Sequence, residues 1–168
     1  MSSPAVAPAS SPAVAPASPP PASSASDSAA LPSPEMASLA FYVGSWTCNG
    51  HSVRKNTDEP LRVEVHPVLD GHWLSVRVFR GEKQLSDEFK GYDPDRKKFV
   101  HLYVDPSGAG SVASSGWEGD HMTFVSDLPS TPPFRSVFTK LSETSFSHQW
   151  QVDSGKGFQT AYNKVCRK

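Results

Sequence analysis

From Phe41 onward, apolar and polar residues alternate in short runs rich in Val, Phe, Trp, Thr and Tyr. A period of two over such short stretches marks β-strands with one face buried and one face wet. Gly, Asp, Pro and Ser separate the runs. The pattern predicts strands near 42–54, 61–69, 72–80, 85–92, 97–104, 110–118, 121–127, 134–140, 144–152 and 156–166, about ten in all. Only one helix is expected, over about Pro34 to Ala40. Ser33 suits its N-cap, Pro34 its first position and Glu35 its positive end.

Loop length fixes which residues face each other across a hairpin. A two-residue Asp70-Gly71 turn pairs Leu69 with His72, Val65 with Val76 and Val63 with Val78. The other face then sets Glu64 against Arg77, a favourable cross-strand pair. A Gly119-Asp120 turn pairs Trp117 with Met122 and Ser115 with Phe124. A three-residue loop with Gly155 in the left-handed region pairs Trp150 with Phe158, His148 with Thr160 and Phe146 with Tyr162. A three-residue loop over Leu141 to Glu143 sets Phe138 against Phe146, Ser136 against His148 and Phe134 against Trp150. The last three strands then share one aromatic face of Phe134, Phe138, Phe146, Trp150, Phe158 and Tyr162, with His148 in its middle.

A sequential meander leaves two edges exposed, and closing it into a barrel removes both. The fold expected is therefore all-β, a single up-and-down closed antiparallel barrel with a short N-terminal helix. Closure makes the first and last strands neighbours. Alternation from Tyr162 puts Cys166 on the aromatic side, and alternation from Trp46 puts Cys48 on the side that Trp46 takes. A Cys48–Cys166 disulfide is then geometrically feasible, and would close a loop worth about 4–5 kcal/mol on the chain-entropy model. Two reduced buried thiols are the alternative.

Composition divides the chain. Residues 1–35 contain no aromatic residue, no Lys or Arg, and only Asp27 and Glu35 as charges, and "SPAVAPAS" occurs there twice in tandem. Such a segment cannot bury enough apolar surface to offset its ordering entropy. Residues 1–33 are expected to be a disordered Pro/Ala/Ser-rich tether and 34–168 the barrel. Without those two of the 17 acids, the rest carries 15 acids against 16 bases. A balance near +1 gives no reason to expect nucleic acid as a partner. No run approaches the ~18 apolar residues of a membrane span. The sequence as written opens without a signal peptide. A tethered domain with two cysteines nevertheless favours a periplasmic or secreted location over a cytoplasmic one.

Four stretches, "FYVGSWTC", "VLDGHWLSVRV", "FKGYDPDRKKFVHLYVD" and "SSGWEGDHMTFVSD", resemble the bacterial domain-of-unknown-function 1579 family. The motifs are Gly44-x-Trp46, Leu69-Asp70-Gly71 with Trp73, Gly91-Tyr92-Asp93, and Gly116 ahead of a Gly-Asp turn. The resemblance runs from about Pro34 to Lys168. It implies a calycin-type barrel, similar in shape to lipocalins and nitrobindins, and no established activity. Gly-x-Trp is similar to the lipocalin first strand, whose Trp plugs the barrel base under a basic residue of the last strand. Arg167 could take that part, although alternation turns it away from the Cys166 side.

Catalytic and metal spacings are absent. There is no GxSxG, HExxH, CxxC or GxGxxG, and His51, His66, His72, His101, His121 and His148 lie singly. No metal or cofactor is expected. The ligand-binding candidates are the expected inner face: His148 with Phe146, Trp150, Thr160, Tyr162, Phe158 and Phe138, then Trp117, Met122 and Phe124. His148 could meet a ligand, or be a core histidine satisfied by Ser136 or Thr160. Either Phe99, His101 and Tyr103 face inward, or Val100, Leu102 and Val104 do. The side left outside would be an apolar patch suited to a homodimer interface. Asp87, Glu88 and Asp105 could reach the interior, but solvated positions are the simpler reading. The function expected is binding of a small apolar or amphipathic molecule. The alternatives are a cyclase or isomerase using His148 and Tyr162 as acid and base, and haem binding through His148.

Overall fold

The computed structural model describes residues 33–126 and 132–168. The proposed tether up to residue 32 lies outside the described residues. Helix α1 spans Pro34–Ala37, with Ser33 Oγ accepting from the Met36 amide at 3.1 Å, and a 3-10 turn follows at Ala40–Tyr42. Eleven strands come next: β1 Gly44–Ser52, β2 Thr57–Val68, β3 Trp73–Arg80, β4 Lys83–Asp93, β5 Lys98–Asp105, β6 Gly108–Ser114, β7 Trp117–Glu118, β8 His121–Ser126, β9 Phe134–Ser142, β10 Ser145–Asp153 and β11 Phe158–Arg167. They form one antiparallel sheet in the order β6-β5-β4-β3-β2-β1-β11-β10-β9-β8-β7, and pairing of β6 with β8 closes it. This is a closed antiparallel barrel of ten strands with the short β7 added. The expected single strand over 110–118 breaks between Ser114 and Trp117. Ser115 therefore leaves the ladder, and Phe124 pairs with Ser136 instead.

The first hairpin has the expected register, with Val65 opposite Val76, Val63 opposite Val78 and Glu64 opposite Arg77. Its ladder stops one pair short of Leu69–His72, because Leu69, Asp70 and Gly71 all take positive φ in the turn. The last two hairpins differ from expectation. Asp153 Oδ1 accepts from the amides of Gly155 and Gly157, so the loop takes four residues, and a bulge follows between Trp150 and Gln151. Trp150 thus faces Tyr162, His148 faces Lys164 and Phe146 faces Cys166. A second bulge at the start of β10 sets Phe138 opposite His148 and Ser136 opposite Trp150. On most of β10 and β11 the slips are by even numbers of residues, so the inward face keeps its members. Phe158 and Thr160 are the exceptions. Beyond the bulge they pair with Asp153 and Gln151, on the opposite face from Trp150 and Tyr162.

The lower half of the barrel is solid. Met36, Leu39, Phe41 and Tyr42 from the N-terminal helical segment pack with Trp46, Met122, Phe138 and Phe146 in one buried cluster. Tyr42 and Trp46 meet Phe146 edge-on, at centroid distances of 5.0 and 4.8 Å. Trp46 donates its indole N–H to the Tyr42 carbonyl at 2.8 Å. The basic residue over Trp46 is Lys168, not Arg167: its Nζ lies 4.7 Å from the indole and donates to the Phe41 carbonyl at 2.8 Å. Alternation after the inward Cys166 sends Arg167 to solvent and the next side chain back over the base. Cys48 and Cys166 are partners across β1 and β11 and are joined as a disulfide with a separation of 118 residues.

On the outside, Gly91 makes room for the Trp73 indole. A Cβ at Gly91 would fall 2.5 Å from that ring. Gly91→Ala is expected to lower stability by about 1–3 kcal/mol, as overpacking does. Urea unfolding checks this: a midpoint equal to that of the unchanged protein would show that the Trp73 ring yields at no cost.

Candidate functional site

Above the solid base the barrel is hollow. Strand alternation sends Ser86, Glu88 and Lys90 of β4 inward and leaves Phe89 partly exposed outside. On β5 it is Phe99, His101 and Tyr103 that turn inward, which leaves Leu102 and Val104 with Phe89 as an outer apolar patch. His148 and Trp150 come from β10, and Tyr162 and Lys164 from β11. Together with Asp105 and Ser107 at the rim, Ser86, Glu88, His101, Tyr103, His148, Trp150, Tyr162 and Lys164 line a cavity of about 410 Å³. The upper wall is aromatic: Trp150 stacks on Phe134 at 4.4 Å and meets Tyr103 edge-on at 5.9 Å. Tyr162 lies directly over Gly50, where any Cβ would collide with its ring.

The deeper part is polar and charged. Glu88 is buried, yet it is held well below the usual carboxylate range. Burial alone would raise it, but the hydrogen bond from His101 and the charges of Lys90 and Lys164 overcome that. Its Oε1 accepts from Ser86 Oγ at 2.9 Å, its Oε2 accepts from His101 Nε2 at 2.9 Å, and Lys90 Nζ stands 3.8 Å away. An ionised carboxylate only accepts, so His101 carries its proton on Nε2. His101 Nδ1 is then a bare acceptor, buried without a donor. Burial and then Lys90 push His101 down to about 4. Burial, Lys164 and Lys90 likewise hold His148 well below its ordinary value, and its Nε2 is hydrogen-bonded with Ser136 Oγ. Burial lowers Lys90 to about 8 against the pull of Glu88, and its ammonium lies 5.7 Å from the Phe124 ring.

Lys164 is different. It is 6 % exposed and lines the cavity. Among the described residues its ammonium has no hydrogen-bond acceptor and no carboxylate within 4.0 Å. With both histidines neutral, the buried charged groups are Lys90 and Lys164 against Glu88, and burial pulls Lys164 below its ordinary value while Glu88 holds it up.

Two buried neutral histidines make stability depend on pH. The unfolded chain takes up a proton at each near pH 6.5, and the folded His101 resists until about 4. The stability that these neutral histidines supply is therefore complete above 6.5 and lost as pH falls. His101 alone accounts for roughly 3 kcal/mol over that window. Urea titrations at stepped pH read the loss. Imidazole nitrogen shifts read the cause, with His101 and His148 expected neutral at pH 5.5.

Of the residues singled out in the sequence, His148, Trp150 and Tyr162 reach the cavity together. Phe138, Phe146, Met122 and Phe124 are buried in the packed cluster. Trp117 belongs to the base, donating to Ser38 Oγ at 3.0 Å. Phe158 lies outside under the Arg135 guanidinium, 4.3 Å from its ring, and Thr160 is on the same outer face. His148 and Tyr162 are not coupled: the Tyr162 hydroxyl donates to Glu59 Oε1 at 3.2 Å, at the mouth, while His148 binds Ser136. Iron at His148 Nε2 would have to displace that serine. Among the described residues, no three of His, Cys, Asp and Glu are grouped to hold a metal ion. Glu88, for which the sequence favours a solvated position, is inside, and Lys90 and Lys164 are interior groups that the sequence reading does not single out. A signal for Lys164 was present, since it lies midway between the inward Tyr162 and Cys166.

A model of the family described as "Protein of unknown function (DUF1579)" matches residues 31–153. The chain belongs to this DUF1579 family. Strands β1 to β10 of the DUF1579 barrel fall within the match, whereas β11, with Tyr162, Lys164 and Cys166, lies beyond it. No curated protein matches the sequence. Among solved structures, Rv2717c from M. tuberculosis is similar at a TM-score of 0.55 and 14% identity, over 81% of this chain and 98% of that one. At that identity the likeness concerns the fold alone. Among the described residues of this DUF1579 member, no helix is long and apolar enough to cross a membrane.

Proposed function

We propose that this barrel binds a small amphipathic organic molecule. The observation that carries the reading is the cavity of about 410 Å³, aromatic along its upper wall and polar at depth. Pockets of a few hundred Å³ with mainly apolar walls and a few converging polar groups are what small ligands use. The solid base supports it too: the core is completed by the N-terminal helical segment and Trp46, so the upper interior is not needed for packing. The Cys48–Cys166 disulfide suits an oxidising compartment, and residence in the periplasm or outside the cell is part of the proposal.

The test is calorimetric titration with N-phenyl-1-naphthylamine, a neutral aromatic probe. One molecule is expected to bind per chain, with a Kd near or below about 100 µM. Ser86→Trp, which puts an indole into the cavity, is expected to abolish that heat while the fold is retained by circular dichroism. No binding, or unchanged binding by Ser86→Trp, would overturn the reading.

A further inference from the structure

We infer that the ligand carries an anionic group, a carboxylate in the simplest case, which seats on Lys164 at mid-depth in the cavity. This inference rests on the binding reading above. A buried ammonium is costly unless a counter-charge or hydrogen-bond acceptors satisfy it. Among the described residues Lys164 has no acceptor at hydrogen-bond distance and no carboxylate within 4.0 Å; burial pulls it below its ordinary value, and the one counter-charge that holds it up is Glu88, which Lys90 already shares, while Lys164 itself faces the cavity. Other groups cannot be borrowed. Glu88 is fully engaged by Ser86, His101 and Lys90. Asp105 is turned into its own hairpin, accepting from the Ser107 amide at 2.7 Å. Glu59 is held at the mouth by Arg80 and Tyr162.

The position of Lys164 gives the ligand a direction. On β1 it faces Gly50, which adds no side chain, and on β10 it faces His148. Tyr162 lies toward the mouth and Cys166 toward the base. An anion on Lys164 leaves the rest of the molecule between Tyr103, Trp150 and Tyr162, the aromatic wall. It also balances the buried charges, Glu88 and one bound anion against Lys90 and Lys164. The ligand class is then an aromatic or aliphatic carboxylate entering tail outward.

The experiment compares 1-naphthaleneacetate with its near-isosteric neutral partner, 1-naphthaleneacetamide, by calorimetry at pH 7. N-phenyl-1-naphthylamine is titrated alongside. The carboxylate is expected to bind about tenfold or more tighter than the amide, the scale of a charge-assisted hydrogen bond in a dry site. The preference is expected to vanish in Lys164→Gln and in Lys164→Met, which remove a lone buried charge and so should fold. Equal affinity for the two probes, or a preference that survives both variants, overturns the anion seat. If N-phenyl-1-naphthylamine still binds in that case, the binding reading stands without it. If none of the three probes binds, both fall.

Discussion

Replacing Cys48 and Cys166 together by Ala is expected to lower the unfolding free energy by about 5 kcal/mol relative to the oxidised protein. The bridge closes a loop with a separation of 118 residues, nearly the whole described chain, so it restricts the unfolded ensemble about as much as a single link can. Its place in the barrel adds a structural reason. Strands β1 and β11 are the first and last of the sheet in sequence, and without their pairing it would be open along both. Both cysteines are buried, at 3 % and 0 %, so Ala removes the link without burying a new polar group. Guanidinium unfolding with and without a thiol reductant measures the effect. Reduction should bring the native protein close to the double variant. A loss below about 1 kcal/mol would mean that strand pairing alone seals the barrel and the bridge is incidental.

Glu88→Gln is expected to cost about 3–5 kcal/mol, the usual penalty for removing one partner of a buried charged pair. Glutamine keeps the shape: its one carbonyl oxygen can still accept from His101, and its amide N–H can donate to the Ser86 hydroxyl in place of the bond that Glu88 accepted. What disappears is, among the described residues, the only carboxylate beside Lys90, 3.8 Å away, in a site where Lys164 also lies. Lys90 would shed its proton rather than stay charged and unpaired, which caps the cost. Pairing the change with Lys90→Met should return a large part of the lost stability, because the two effects share one cluster and so are not additive. Urea unfolding of the two single variants and the double variant gives the coupling directly. Independent, additive effects would show that the Glu88–Lys90 pair is not an energetic unit.

The sequence was most informative where turn chemistry and alternation agree. Around Asp70-Gly71 the runs on either side alternate without interruption, so Val63, Val65, Val76 and Val78 could only align one way. It was least informative at the bulges in β10 and β11. A bulge adds one residue without changing composition, and its position depends on how Gly155, Gly157 and Asp153 share hydrogen bonds. The inward face mostly survived because the slips were even, and Phe158 and Thr160 were lost to the outside because they lie past the bulge. The interior charges failed for another reason. A Glu or Lys in an alternating strand reads as solvent-facing, and no turn signal fixes the register of β4, so nothing local turns Glu88 and Lys90 inward. Only long-range pairing reveals that the three charges on β4 and β11 meet His101 and His148 inside one barrel.

The most direct test of the account is a crystal structure of the protein grown with 1-naphthaleneacetate. The naphthalene ring is expected against Trp150 and the carboxylate at hydrogen-bond distance from Lys164 Nζ. A cavity closed by its own side chains, or a carboxylate bound anywhere but on Lys164, would contradict it.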